Sequence, residues 1–294
     1  MIAIIFGGSG QDGFFLEKIL ISNKIQVIKI SRGSGDLIGD VSDFIFVKKI
    51  IKLYKPQYVF HFAAISSTAH ENIFLNNKAI NDGTTNILEA VKDYSKKTKV
   101  FLSGSAMQFK NIGLPINEKT SFYHSSPYSI SRIYSTYCGR YYREKFNIKV
   151  YVGYFFNHDS HLRNDSHINK MIINKVKKIS KGSFDKISLG DLKVKKEFNY
   201  AGDLMHSVWK LVNQEKVFEC VLGSGKAYEI LDWIIICFNL IGYNWKDYVV
   251  INKDFKREYN ILVSDPKLIN SINKKQTVGI NKLAALMFEN KYII

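Results

Sequence analysis

Apolar positions in the first half of the chain fall into short β-rich runs separated by stretches of helical spacing. Residues 2–6 form a β-branched run, 14–20 carry apolar side chains three and four apart, and 25–30 alternate as a second strand. Residues 44–53 predict a helix closed by Lys55-Pro56, 58–62 a further strand, 86–94 a helix, and 100–102 a strand running into a Ser/Gly turn. This alternation predicts an α/β fold with a doubly wound parallel sheet covered by helices on both faces. The second half is less regular. Residues 150–156 read as a strong strand, 157–166 are polar, helical patterns recur at 168–179 and 204–211, and strand-like pieces lie at 187–189 and 217–222. The pattern divides the chain into a first domain, 1–156, and a smaller C-terminal lobe, 157–294, some of whose segments return to the first domain.

Composition narrows this picture. A chain of 294 residues, 46% hydrophobic with four prolines, can bury a full core and is neither disordered, collagen-like nor a small disulfide scaffold. No apolar run reaches the roughly 18–20 residues of a membrane span, so no membrane partner is expected. Residues 1–6 lack a basic flank and run straight into glycines, which reads as a strand rather than a signal peptide. Cys138, Cys220 and Cys237 have no metal-ligand spacing, which predicts a reduced, cytoplasmic compartment and no metal. Lys+Arg 42 against Asp+Glu 26 gives a net charge of +16, but the lysines are scattered, and no nucleic-acid partner is expected.

The candidate chemistry begins at Gly7-Gly8-Ser9-Gly10-Gln11-Asp12-Gly13, between the first strand and the first helix. Gly7, Gly10 and Gly13 allow a tight turn and a close backbone approach to a pyrophosphate, which the helix N-terminus attracts. The loop predicts a Rossmann-type dinucleotide-binding domain, with Gln11 and Asp12 in the same site. The second strand ends in Ser31-Arg32, where an NAD-selective site places an acidic residue. A serine and a cation suit a 2′-phosphate, so the cofactor is read as NAD(P) with a lean to NADP. Asp40 is a candidate for the adenine amino group.

Further motifs complete a resemblance. His61-Phe62-Ala63-Ala64 is similar to the fourth-strand motif of the extended short-chain dehydrogenase/reductases, and Tyr128-Ser129-Ile130-Ser131-Arg132 to their Tyr-x-x-x-Lys element. Gly10-Gln11-Asp12-Gly13, Phe156-Asn157-His158-Asp159-Ser160 and Gly190-Asp191-Leu192 resemble the GDP-mannose 4,6-dehydratase-like branch. The resemblance implies a homo-oligomeric nucleotide-sugar oxidoreductase whose C-terminal lobe binds a GDP-sugar. It implies cofactor contacts at Ala63, Ala64, Tyr128 and Arg132, with Tyr128 as acid/base. It places Asn157 at the substrate, and Lys196 and Arg257 at its diphosphate. The last two could equally be solvated surface cations.

The departures bear on the reaction. Arg132 replaces a lysine that in the family holds the nicotinamide ribose, and it keeps the charge in a different geometry. Ser105 stands at the family's substrate-orienting threonine, followed by Ala106 and Met107, where the branch carries the carboxylate that removes the C5 proton. Alanine and methionine cannot move protons. With these departures, the resemblance implies oxidation at C4 of a GDP-linked manno-hexose or manno-heptose that stops at the 4-ketone. The alternatives are a 4,6-dehydratase with its carboxylate elsewhere (Glu118 or Asp159), a 4-keto-sugar reductase, and a non-catalytic dinucleotide sensor.

Overall fold

The computed structural model describes residues 1–252, 254–255, 258–273 and 277–294. Six strands lie within residues 1–156: β1 (Ile2–Phe6), β2 (Gln26–Ser31), β3 (Leu37–Ile38), β4 (Tyr58–His61), β5 (Lys99–Ser105) and β6 (Val150–Phe155). With Glu219–Leu222 they form one seven-stranded parallel sheet, in which that late strand pairs with β6 and the order continues β5, β4, β1, β2, β3. The order reverses between β1 and β4, which opens a crevice at their carboxyl ends.

Burial on both faces explains the continuous apolar runs. Ala3 and Ile5 pack into a core with helix α1 (Gln11–Ser22) and the helices Ile168–Ile179 and Ala201–Val212. Ile4 and Phe6 point the other way, into a core with helix α2 (Phe44–Tyr54) and the helix Gly83–Tyr94. Local signals set the helix ends. Asp43 caps α2 by accepting from the Phe46 N–H at 3.1 Å, and Lys55 closes it in the left-handed region, one residue before Pro56. Ser126 and Ser129 cap each other's backbone N–H at the start of Pro127–Phe146, with Pro127 in the first turn.

One prediction changes. The Ser/Gly turn expected after residue 102 is strand: β5 runs on to Ser105, with Ser103 and Gly104 paired to Gly153 and Tyr154. Glycine fits because a Cβ at Gly104 would lie 2.6 Å from the Tyr154 ring. The lobe beyond β6 holds small ladders, including Lys195–Glu197 between Ala227–Glu229 and Ile261–Leu262. Among the described residues no helix is long and apolar enough to cross a membrane.

Glu219 fastens the late strand to the domain. Its carboxylate accepts from Arg140 at 2.6 and 2.9 Å, from Arg143 at 2.7 Å and from the Tyr154 hydroxyl at 2.6 Å. Burial would raise its pKa, but these donors outweigh that and hold it at about 2. Glu219→Ala should cost about 2 kcal/mol at neutral pH, below the full cost of breaking a buried pair because the arginines stay partly exposed. A depressed carboxyl stabilises above its unfolded pKa and loses that contribution as pH falls towards the folded one. Urea unfolding should therefore show the gap between parent and variant narrowing as pH drops below about 4.5.

Candidate active site

The crevice at the sheet's switch point widens into a cleft of about 720 Å³. Gly7 turns the chain out of β1 at φ +81°, and the Gly7 and Gly8 N–H groups donate to the Ile30 carbonyl at 2.9 and 3.3 Å. Gly10 is the N-cap of α1 and no side chain caps that end, so the helix presents free N–H donors to the cleft. A Cβ at Gly10 would meet only the Gly7 carbonyl, at 3.4 Å. The protein's own packing leaves that side open, as the close approach of a pyrophosphate requires. Gly13 behaves differently from expectation. It does not line the cleft, and its missing Cβ lets α1 pack on Gly8, where such an atom would come within 2.5 Å. It supports the loop from behind.

The far end of the cleft holds Ser31, Arg32 and Asp40, with Ala63 and Ala64 on the wall between. The Ser31 hydroxyl is engaged by Ser34, donating to its carbonyl and accepting from its N–H. Arg32 is exposed at that end of the cleft. Asp40 accepts from the Ser42 N–H and hydroxyl, both at 2.9 Å, through one oxygen.

Gln11 and Asp12 face the lobe as well as the cleft. Gln11 Oε1 accepts from Ser160 Oγ at 2.8 Å, and Asp12 lies 2.9 Å from His158 Nε2. Burial would lower the His158 pKa, but the Asp12 carboxylate outweighs it and the pKa lies above its ordinary value. Burial would raise Asp12, and the charge of His158 outweighs that, leaving it lowered.

Asp12 also borders a second chamber, about 470 Å³, continuous with the cleft. Tyr128, Arg132, Ser105 and Asn157 all line it. Ser105 is held by a reciprocal cap: its hydroxyl accepts from the Met107 N–H at 3.2 Å and its N–H donates to Gln108 Oε1 at 2.9 Å. Ala106 and Met107 form the adjoining wall. Two carboxylates line the chamber among the described residues: Asp12, paired with His158, and Glu258, which accepts from Thr68 Oγ1 at 2.7 Å. Neither Glu118 nor Asp159 reaches it. Glu118 accepts from the Val221 N–H at 2.8 Å, and Asp159 is buried against Asn169 and Arg163.

A third pocket of about 370 Å³, mostly apolar, opens from the chamber at Ser166, Glu258 and Tyr259. Lys196 lines it and is only 5% exposed, so it is no solvated surface cation. Burial lowers its pKa to about 8, and its ammonium sits 5.3 Å over the Phe198 ring. Arg257 lies outside the described residues. Arg163 and His167, hydrogen-bonded at 2.9 Å, line both cleft and chamber; His167 reads from the sequence as a loop or substrate-side residue, and Arg163 was missed. They sit in irregular chain, where no periodicity gives a facing direction.

The GDP-mannose 4,6 dehydratase family model matches residues 36–287. The chain belongs to that family. GDP-mannose 4,6 dehydratase 1 of Arabidopsis thaliana is 27% identical over 98% of this chain and 89% of the relative. The human GDP-mannose 4,6 dehydratase is 26% identical over 82% of this chain and 72% of its own length. In structure, RMD from Pseudomonas aeruginosa complexed with NADPH superposes with a TM-score of 0.88 at 16% identity, covering 98% of each chain. A Thermus thermophilus UDP-glucose 4-epimerase complexed with NAD gives 0.86 at 16% identity, again over 98% of each. The fold is that of the extended short-chain dehydrogenase/reductases, a nucleotide-sugar enzyme family that works with nicotinamide cofactors.

If the open side of Gly10 is the pyrophosphate seat, Gly10→Val fills it without straining the protein. The variant should melt near the parent temperature yet bind NAD(P)H at least about tenfold more weakly in a fluorescence titration.

Proposed function

We propose that this protein oxidises C4 of a GDP-linked manno-hexose or manno-heptose to the 4-keto sugar. The observation that carries this reading is the chamber wall beside Tyr128. Ser105 and Tyr128, the groups read for a C4 hydroxyl, line it together, while Ala106 and Met107 offer no base for C5.

The three spaces suit the parts of such a substrate. The sugar occupies the chamber and the diphosphate passes towards Lys196. The base enters the mostly apolar pocket. Ser105 orients the C4 oxygen and Asn157 holds the sugar from the lobe. Tyr128 takes the C4 hydroxyl proton, and the buried Arg132 guanidinium lies over its ring. A nicotinamide cofactor held in the cleft would supply the hydride acceptor. Arg32, with no acidic residue at the end of β2, supports NADP over NAD. Ile130, Tyr134, Tyr137 and Tyr141 are exposed on the helix Pro127–Phe146, which supports pairing of two copies through that helix.

The rival reading is 4,6-dehydration, the activity named for the relatives. It requires a carboxylate at C5, and Glu258 is the described residue that favours it by lining the chamber. Product mass separates the two. With GDP-mannose or a GDP-manno-heptose and NAD(P), at enzyme concentrations near that of the cofactor, the product should lack two hydrogens and one equivalent of reduced cofactor should accumulate. A product lighter by one water, with no net reduction, overturns the proposal. Tyr128→Phe should lower the rate by roughly 10²–10⁴ while leaving substrate binding intact.

A further inference from the structure

Arg132 is 4% exposed and makes no ion pair among the described residues. A buried cation without a carboxylate must be satisfied by neutral dipoles. One nitrogen of its guanidinium, Nη1, donates to both oxygens of Ser103: to the carbonyl, and to Oγ at 2.8 Å. The Ser103 hydroxyl in turn donates to the His61 carbonyl at 2.9 Å, which commits its hydrogen and turns a lone pair towards the arginine. The guanidinium carbon sits 5.1 Å from the centre of the Tyr128 ring. His61 is 1% exposed; burial first, then the Arg132 charge, hold its pKa at about 3, so it stays neutral and does not compete. Ser103, Arg132 and Tyr128 all border the chamber.

We propose that Ser103 is a positioning residue, whose carbonyl and hydroxyl hold the Arg132 guanidinium against Tyr128 and at the cofactor side of the chamber. The inference rests on the roles given above to Tyr128 and Arg132. Its physical basis is the difference between the two cations. An ammonium is a compact charge on a flexible stem and settles where the field is best, whereas a planar fork must be fixed in orientation to be useful. Ser103 supplies that fixing from the neighbouring strand.

A double-mutant cycle tests it, with Ser103→Ala made in the parent and in Arg132→Lys. The first readout is the NAD(P)H dissociation constant, which needs no sugar; the second is the rate of cofactor reduction with a GDP-sugar. In the parent, Ser103→Ala should weaken NAD(P)H binding about five- to tenfold and slow reduction by a similar factor. In Arg132→Lys it should change either quantity less than about twofold. Equal losses in both backgrounds would mean general damage to β5 and overturn the proposal, as would no loss in the parent. Thermal melts establish that each variant is folded, and Ser103→Cys, close in volume with a weaker donor, runs the same cycle if alanine does not fold. A parent inactive on every GDP-sugar would count against the proposed reaction, while the binding cycle would still decide the role of Ser103.

Discussion

The contact between Asp12 and His158 joins the two halves of the site. Asp12 stands in the first turn of α1, where the helix end favours negative charge, and His158 follows β6 where the chain enters the lobe. Both are charged between the lowered Asp12 pKa and the raised His158 pKa. The His158 contribution is complete below its unfolded pKa and is lost as pH rises through the higher folded one. That of Asp12 is complete above its unfolded pKa and is lost as pH falls through the lower folded one. Gln11 and Ser160 repeat the link beside it. One helix start thus fixes both the glycine loop and the segment carrying Asn157, so the walls of cleft and chamber keep a common register.

Within that frame, the segment after β5 keeps its shape without acidic residues. The Ser105–Gln108 cap uses backbone N–H groups and neutral side chains, and Gln108 is further tied to Thr136 at 3.0 Å. Ala106 is buried and Met107 packs at the edge of the core. The turn that would present a base therefore persists as a packing element. The same economy is seen at Arg132, where a guanidinium is retained by uncharged oxygens on β5.

Much of the sheet was legible because strands buried on both faces leave unbroken apolar runs, as in Ile2–Phe6 and Val150–Phe155. The glycine loop was legible from its place between strand and helix. Where polar residues pair within a strand, the signal failed: Ser103-Gly104 read as a turn, yet its backbone is paired to β6 and its side chain serves Arg132. Lys196 left its setting open because charge alone does not reveal that a long stem can lie along an aromatic ring. Gly13 was legible as a needed glycine but not as one that packs on Gly8. Arg163 and His167 reach the site only through tertiary folding of irregular chain.

The proposed oxidation at C4 requires that no working base reach C5. Its most direct test is turnover of the GDP-sugar in D₂O, with the sugar's C5 position followed by NMR and mass. C5 should keep its original hydrogen on the enzyme, with any exchange of the released 4-ketone no faster than in buffer alone. Deuterium entering C5 at the turnover rate would reveal a base in the chamber and contradict it.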